Sequence, residues 1–165
     1  YEADARAKHL MQYDLQLKRQ IIENFGQESY QNDELNRPYL AQKVFSNPEE
    51  VAKINALVHP AVGVDFKSWI TKQNAPYVLK EAALLIESGS YKQLDFLINV
   101  FAPIDLRIER IKKRDPHRSI SEINEIIDKQ VSEERRSQLA DAVINNDSQS
   151  MLIPQVMELH QRLLN

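Results

Sequence analysis

The 165-residue sequence contains no cysteine, few glycines and no long hydrophobic run. The absence of cysteine excludes disulfides and thiolate metal sites and gives no reason to propose secretion, so we predict a cytoplasmic protein. Its three glycines, Gly26, Gly63 and Gly89, are isolated, so no glycine-rich phosphate-binding loop is present in this sequence. No apolar run approaches the roughly 20 residues that a membrane helix needs. We therefore expect no membrane partner.

The composition is typical of a globular α/β or helical domain. Apolar residues make up 42% of the chain and charged residues 27%, with a net charge of −3, which argues against disorder. The negative net charge, with basic residues concentrated near one helix, makes a nucleic-acid partner the weakest option. The four histidines, His9, His59, His117 and His160, lack metal-ligand spacing. We therefore predict no metal site within these residues.

Residues 96–101 form a short, nearly unbroken apolar run that is followed by Ala102-Pro103. Such a run predicts a strand buried on both faces of a parallel sheet, and proline ends it because proline has no N–H for the ladder. A helix should follow. At about 100° per residue its isoleucines and arginines occupy two adjacent arcs. The first arc contains Ile104, Ile108 and Ile111, and the second contains Arg107, Arg110 and Arg114.

This helix begins a basic cluster on an acidic protein. Six of the 21 Lys and Arg residues lie within residues 107–118, beside only two acids, Glu109 and Asp115. One interpretation is a solvated helix face with weak ion pairs. The other is an arginine site for a phosphate, whose oxygens match guanidinium groups in pairs. On this stretch alone the solvated face is favoured.

The remaining periodicity predicts an α/β fold with buried parallel strands and flanking helices. Residues 10–73 are predicted to be almost entirely helical, and residues 77–86 form a second apolar run expected to be a strand. A charged helical pair over about 116–139 is either a mobile lid above an anionic ligand or a static surface hairpin. A short strand at 141–146 and a final amphipathic helix near 150–164 complete the chain.

Local signals predict where several helices begin and end. A first helical region is expected to end at Gly26, and Asn47-Pro48 is a strong helix start. That helix should stop before His59-Pro60, because the residue before proline avoids the α region. Ser119 and Glu122 have the spacing of a capping box.

Two carboxylates permit both a structural and a functional interpretation. Asp4 is well placed as a helix N-cap, but it also follows what resembles the end of a strand, where open α/β sheets bind ligands. Glu87 follows the predicted strand 77–86. It is either a solvated loop acid or a contact to the polar groups of a substrate.

Seven segments, taken in order, resemble the dephospho-CoA kinase family of P-loop kinases. They are YEADARA, LNRPYLAQKVF-NPEE, INALVHP, LKEAALLIESG, VFAPIDLRIERIKKRD, DKQVSEERR and ADAVINND. Each segment alone is weak, but their order and spacing cover nearly all of residues 1–147. The resemblance implies a P-loop-kinase-like parallel sheet flanked by helices, with a helical substrate-binding insertion and a helical lid.

The resemblance also implies a reaction and its residues. The family transfers the γ-phosphate of ATP, with Mg²⁺, to the ribose 3′-hydroxyl of dephospho-CoA. Asp4 would be the catalytic carboxylate, because it matches the second acid of the family's Asp-x-Asp motif. Residues 1–9 and 74–165 would form the core, 10–73 the CoA-binding insertion and 116–139 the lid. Substrate contacts would come from Arg37, His59, Leu84 and Glu87, and nucleotide or phosphate contacts from Arg110, Arg114 and Arg136.

The sequence departs from the family pattern in three ways. Ala83 and Ile86 stand where the family often has proline and phenylalanine, and Glu2 replaces the first aspartate of the motif. The family's first strand, its phosphate-binding loop and the next helix are expected to precede Tyr1. Without them, and without the main Mg²⁺ ligands of that loop, we expect the chain to be inactive. The alternatives are another small P-loop kinase or a non-catalytic CoA-nucleotide-binding fragment. The oligomeric state is not predicted.

Overall fold

The computed structural model describes residues 1–45 and 47–164, which fall into two compact units. The first unit spans Tyr1–Ala83 and the second spans Leu84–Asn165. The elements of the first are α1 (Ala3–Tyr13), α2 (Leu15–Phe25), a 3₁₀ turn (Gln27–Ser29), β1 (Tyr30–Gln31), β2 (Glu34–Leu35), α3 (Arg37–Phe45) and α4 (Pro48–Ile70). Those of the second are a 3₁₀ turn (Ser90–Gln93), β3 (Ile98–Phe101), α5 (Ile104–Arg114), α6 (Ile120–Asp128), α7 (Glu133–Leu139), β4 (Ala142–Asn145) and α8 (Leu152–Leu164).

The first unit is a helical assembly around one apolar core. Its helices are amphipathic, and the apolar stripe of α2 is buried through Leu17, Ile21 and Phe25. Residues from α1, α3 and α4 complete the same cluster: Ala3, Leu10, Leu40, Val58 and Val62. The helical prediction for residues 10–73 is therefore confirmed in its main feature, although a short antiparallel hairpin, β1–β2, interrupts it.

One predicted helix boundary in this unit is wrong, and one break was not predicted. The first helical region ends at Gly26 as predicted. It is broken at Asp14, whose backbone N–H bonds to Leu10 O and whose side chain accepts from Leu17 N, so Asp14 ends α1 and caps α2. Conversely, α4 continues through Pro60. A helix-interior proline costs about 3 kcal/mol. Val58 and Val62 are buried on either side of it, and we infer that their packing offsets this cost.

The apolar run 77–86 does not form the predicted strand. Only its middle pairs in parallel with the chain start, where Ala3 N donates to Glu81 O and Glu81 N donates to Tyr1 O, both at 2.9 Å. Residues 83–89 instead wind in turns, with Ser88 N bonded to Leu84 O at 3.1 Å. A short continuous apolar run fits a strand or a buried helical turn equally well, and periodicity alone cannot distinguish them.

The second unit contains the strands predicted near 96–101 and 141–146, and the structure pairs them with each other. The prediction that the first of them is buried on both faces is wrong, because Val100 on β3 is 58% exposed. β3 and β4 are aligned in parallel from Ile98 opposite Ala142 to Phe101 opposite Asn145. α5 follows β3 as predicted, and Ser119 and Glu122 form the predicted capping box at the start of α6. The mixed α/β fold class is thereby confirmed. Among the described residues, no helix is both long enough and apolar enough to cross a membrane.

Candidate active site

In the first unit, Asp4 lies directly after the parallel pairing of residues 1–3 with the segment around Glu81. It occupies the first turn of α1, whereas the N-cap is Glu2, which makes no side-chain capping bond. The N-cap interpretation of Asp4 is therefore wrong. The Asp4 side chain is exposed, and within residues 1–45 and 47–164 it has no hydrogen-bond or ion-pair partner. An unpartnered carboxylate at a strand end is available to accept a proton from a ligand.

Hydrogen bonds from Arg6 and Tyr1 to Asp65 hold in place the helix that carries Asp4. Arg6 donates to both carboxylate oxygens of Asp65 on α4, at 2.9 and 2.6 Å, and the Tyr1 hydroxyl donates to the same carboxylate at 2.6 Å. The hydrogen bond from Arg6 is the main cause of the lowered pKa of Asp65. Burial, followed by the bond to Asp65, raises the pKa of Tyr1. Since Arg6 and Asp65 satisfy each other, they position α1 and are not free to bind a ligand.

Arg37 begins α3 beside a cleft of about 400 Å³. Asn36 anchors this helix start, because its side chain accepts from Tyr39 N at 3.3 Å and donates to Glu28 O at 2.9 Å. The Arg37 side chain is exposed. Arg37 shares the lining of the cleft with residues of α1 and β2, namely Lys8, His9, Gln12, Tyr13, Glu34 and Leu35.

His59, the other acceptor contact suggested for this unit, lies elsewhere on the surface. It is exposed on α4 immediately before Pro60, and it does not line the cleft beside Arg37. Within the part of the chain that the structure describes, its imidazole makes no hydrogen bond or ion pair. Its role in substrate binding stays a prediction.

In the second unit, Leu84 and Glu87 lie in the wound segment 83–89. Leu84 is 46% exposed. The Glu87 carboxylate accepts the backbone N–H of Val131 at 2.7 Å, in the link between α6 and α7. This bond gives Glu87 a structural partner that the sequence did not reveal. We infer that it holds the α6–α7 link in place.

The three arginines that share one arc of α5 have three different partners. Arg110 donates to Asn146 O and to the Ser148 hydroxyl, both at 3.0 Å, just beyond β4. Within residues 1–45 and 47–164, Arg114 bonds only to the adjacent Asp115, and its side chain is 74% exposed. Arg107 turns towards the α6–α7 link. The predicted arc is real, but among its described contacts only those of Arg107 and Arg110 reach loops outside α5 and its end.

Arg107 and Arg136 converge on a single neutral oxygen. Gln130 Oε1 accepts from Arg107 at 2.5 Å and from Arg136 at 3.1 Å. Arg136 also pairs with Glu133 at 2.6 Å, and Glu133 in turn accepts from Asn99 on β3. Arg107, Gln130, Glu133 and Arg136 line a cleft of about 360 Å³ at the end of β3. Arg107 and Arg136 are the two cations of this lining, and Asp128 and Glu133 are its two carboxylates, so the formal charges balance. The guanidinium groups still present donors that match the oxygens of an anion such as phosphate.

The electrostatics of this cleft follow from burial and charge. Burial is the main cause of the lowered pKa of Arg107, and the nearby Arg136 charge adds to it. Burial alone would raise the pKa of Glu133, but hydrogen bonds from Asn99 and Arg136 outweigh it, so the pKa lies below its usual value. Among the described residues, Arg136 Nε is one of two buried side-chain polar atoms without a partner. It is a donor that a bound ligand would satisfy.

Sequence reasoning missed several residues that the structure brings to these two clefts. Arg107 belonged to the predicted arginine arc but was not named among the nucleotide or phosphate contacts. Gln130 and Glu133 carried no signal, because their role depends on how the α6–α7 link packs. Lys8 was also missed. A signal for it existed, since it lies four residues after Asp4 and therefore on the same face of α1.

Comparisons with known proteins agree with the resemblance seen in the sequence. The family model for CoaE, dephospho-CoA kinase, matches residues 1–151. A dephospho-CoA kinase of Bacteroides fragilis is 32% identical over 96% of this chain and 78% of its own length. One from Mannheimia succiniciproducens is 34% identical over 99% of this chain and 78% of its own length.

Solved structures support the fold. The crystal structure of TT1252 from Thermus thermophilus aligns with a TM-score of 0.83 at 27% identity, covering 99% of this chain and 83% of that one. Dephospho-CoA kinase from Campylobacter jejuni aligns with a TM-score of 0.58 at 20% identity and the same two coverages. The second likeness, given its low identity, concerns the fold alone.

Proposed function

The chain belongs to the dephospho-CoA kinase family, and from this premise we propose that it transfers the γ-phosphate of ATP to the ribose 3′-hydroxyl of dephospho-CoA. The observation that carries the proposal is the Asp4 carboxylate, which is exposed, unpartnered within the described residues and directly after a parallel strand pairing. The Arg6–Asp65 ion pair supports this role because it holds α1 in place and leaves the Asp4 carboxylate unbound.

In this reaction Asp4 would accept the proton of the 3′-hydroxyl as its oxygen bonds to the γ-phosphorus. The bond from that phosphorus to the β–γ bridging oxygen breaks, which yields coenzyme A and ADP. A positioned general base contributes typically 10²–10⁴-fold. In phosphoryl transfer most of the remaining rate comes from positioning and charge neutralisation.

For the nucleotide, we propose that Arg110, Arg114 and Arg136 contact ATP phosphates or the base, and that Arg107 joins them. The shared Gln130 oxygen and the unpartnered Arg136 Nε support Arg107 and Arg136 as phosphate ligands. Guanidinium forks match phosphate oxygens, and such charge-assisted bonds act most strongly where charge builds in the transition state. Arg114 is the weakest member, since it is exposed and its one partner among the described residues is Asp115.

Mg²⁺ would enter with ATP and neutralise part of the phosphate charge. Among residues 1–45 and 47–164, no group of three or more histidine, aspartate or glutamate side chains lies close enough to hold a metal ion. Magnesium in kinases is usually held by one or two carboxylates together with substrate phosphates. We assign no Mg²⁺ ligand among these residues.

The proposal also assigns a function to each segment of the chain. Residues 10–73 would serve as the acceptor-binding insertion in a core of 1–9 and 74–165, and 116–139 as the lid. Arg37, His59, Leu84 and Glu87 would contact the acceptor, and the protein would act in the cytoplasm. A protein limited to residues 1–165 would give no turnover, because its three isolated glycines form no loop that cradles ATP phosphates.

An acceptor panel tests this function. The protein expressed from its complete reading frame would be given ATP, Mg²⁺ and, separately, dephospho-CoA, nucleosides, nucleoside monophosphates and small alcohols. We expect the highest kcat/KM for dephospho-CoA, with one ADP formed per coenzyme A. A preference for a nucleoside monophosphate or a small alcohol would replace this proposal with another small P-loop kinase. ATP-independent binding of dephospho-CoA without turnover would indicate a binding protein.

A further inference from the structure

The first unit carries a positively charged cleft whose cations have no protein partner. Lys8 on α1 and Arg37 on α3 both line the cleft of about 400 Å³ and are exposed. Among the described residues, neither makes an ion pair or hydrogen bond. His9 lines the same cleft, and Glu34 is the only acid in its lining. The cleft is therefore cationic even after Glu34 is counted.

Other cations nearby are used to stabilise the fold. Arg6 is engaged by Asp65, and Lys18 pairs with Asp33 and lies 4.7 Å from the centre of the Tyr30 ring. Within the described part of the chain, Lys8 and Arg37 differ from Arg6 and Lys18 because they have no ion-pair partner and lie at a concave surface. Unpaired cations in a cleft favour an anionic ligand more than a solvated face does.

Hydrogen bonds between side chains and backbone atoms hold the walls of this cleft in place. Gln12 Nε2 donates to Asp33 O at 3.0 Å, and Gln12 Oε1 accepts from Leu35 N at 2.8 Å. These two bonds fix the β1–β2 hairpin to α1, and Asn36 then anchors the start of α3. Arg37 and Lys8 are therefore held at one cleft by backbone-directed bonds rather than by their own contacts.

The spacing along α1 suggests what the anion is. Lys8 lies four residues after Asp4, about 6 Å along the helix axis and on the same face. In dephospho-CoA the 3′-hydroxyl and the 5′-linked diphosphate are separated by one ribose, a distance comparable with one helical turn of about 5.4 Å. A ribose whose 3′-hydroxyl meets Asp4 would therefore extend its diphosphate towards Lys8.

We propose that Lys8 and Arg37, with His9 beside them, form the subsite for the diphosphate of the acceptor. The proposal rests on the proposed function. It places the ribose of the acceptor at the start of α1 and its diphosphate one helical turn further along α1. Lys8 supplies a compact charge and Arg37 a planar fork that bonds two phosphate oxygens at once.

The test measures binding and turnover separately. Dephospho-CoA and inorganic pyrophosphate would each be titrated calorimetrically, without ATP, into the wild-type full-length protein and into Lys8→Ala, Arg37→Ala and Lys67→Ala. Lys67, exposed in the last turn of α4 and outside the cleft, is the matched control. We expect Lys8→Ala and Arg37→Ala to weaken dephospho-CoA binding at least tenfold, the usual effect of losing a charge-assisted hydrogen bond. Pyrophosphate binding should fall in parallel, and Lys67→Ala should bind both as the wild type does.

Kinetics distinguish the failure of this subsite from the failure of the proposed function. In turnover, Lys8→Ala should raise the KM for dephospho-CoA and leave the KM for ATP unchanged. Normal turnover with unaltered acceptor binding in both cleft variants would overturn the subsite and leave the function intact. If the wild type gives no turnover, the function fails, and the titrations still decide whether the cleft binds the diphosphate. If Lys67→Ala weakened binding of both ligands as much as the cleft variants do, the loss of affinity would reflect general charge attraction. That result would also overturn the subsite.

Discussion

Ten hydrophobic residues of the described chain are buried; eight lie in the first unit, and only Leu97 and Ile123 lie in the second. Exposed large hydrophobic residues show the opposite distribution, with six in the first unit and twelve in the second. The first unit therefore depends mainly on apolar packing. In the second unit, Gln130, Glu133 and Glu87 make side-chain hydrogen bonds that connect its helices and turns.

The charged residues differ in the same way. In the first unit Asp4, Lys8 and Arg37 have no partner within the described residues. In the second unit Arg110 and Arg136 already donate to protein oxygens. An acceptor could thus bind preformed free charges on a packed scaffold. A nucleotide phosphate would have to exchange with existing hydrogen bonds, a behaviour suited to a lid.

The largest effect is expected from the free carboxylate of the first unit. Asp4→Asn keeps the shape of the side chain but removes the proton acceptor, so kcat should fall by about a hundredfold or more. The KM for dephospho-CoA should change little. Steady-state kinetics would measure both. Glu49→Gln, which alters another exposed first-turn carboxylate of this unit, is the control and should retain full activity. Unchanged kcat in Asp4→Asn would rule out its catalytic role.

The difference in packing between the two units predicts that replacing a fully buried isoleucine by alanine lowers the free energy of unfolding by different amounts in each. Ile21 and Ile123 are both 0% exposed, but only Ile21 belongs to the large core cluster. Ile21→Ala should lower the free energy of unfolding by about 2–5 kcal/mol, because its buried neighbours keep the cavity open. Ile123→Ala should lie at the lower end of that range. Urea unfolding of both variants measures the difference. A larger loss for Ile123→Ala would refute the contrast.

Arg110 tests the role of the second unit in nucleotide binding. Arg110→Ala removes a guanidinium that spans Asn146 and Ser148, and the KM for ATP should rise about tenfold with little change for dephospho-CoA. Arg114→Ala removes an exposed guanidinium whose one partner in the described part of the chain is Asp115, and it should have a smaller effect. A rise confined to the KM for dephospho-CoA would show that the assignment of the nucleotide site is wrong.

The smallest expected effect is the pH dependence of the stability that Glu133 contributes through its hydrogen bonds. Because the folded-state pKa of Glu133 lies below its ordinary value of 4.5, this residue stabilises the fold above that pH, and the contribution disappears as pH falls through the lowered pKa. We expect a contribution below about 1 kcal/mol, as for partly exposed ion pairs. Urea unfolding of the wild type and Glu133→Gln should differ at neutral pH and converge in acid. A constant difference would contradict this linkage.

Much of the fold was predictable where the determinants are local. The strand before Pro103, the helix after it and the capping box at Ser119 depend on residues close in sequence, and all three are present. The continuity of α4 through Pro60 was not predictable, because it depends on tertiary packing of Val58 and Val62. The wound segment 83–89 was missed because an apolar run carries no periodicity that separates strand from turn.

The candidate site was predictable to a lesser degree. Resemblance to the family named Asp4 and the arginines, but side-chain partners arise from contacts between distant segments. Glu87 bonds to a backbone N–H 44 residues away, and Arg107 meets Gln130 across 23 residues. Neither contact leaves a pattern in the sequence. Lys8 could have been predicted from helical spacing, since it lies one turn from Asp4 on the same face of α1.

The most direct test of the central claim is to identify the phosphorylated product. The protein from the complete reading frame would be incubated with ATP, Mg²⁺ and dephospho-CoA, and the product examined by phosphorus NMR and mass spectrometry. We predict a new phosphomonoester on the ribose 3′-oxygen, formed in proportion to ADP and greatly slowed in Asp4→Asn. A phosphate at another position, or ATP consumption that leaves dephospho-CoA unmodified, would contradict the account.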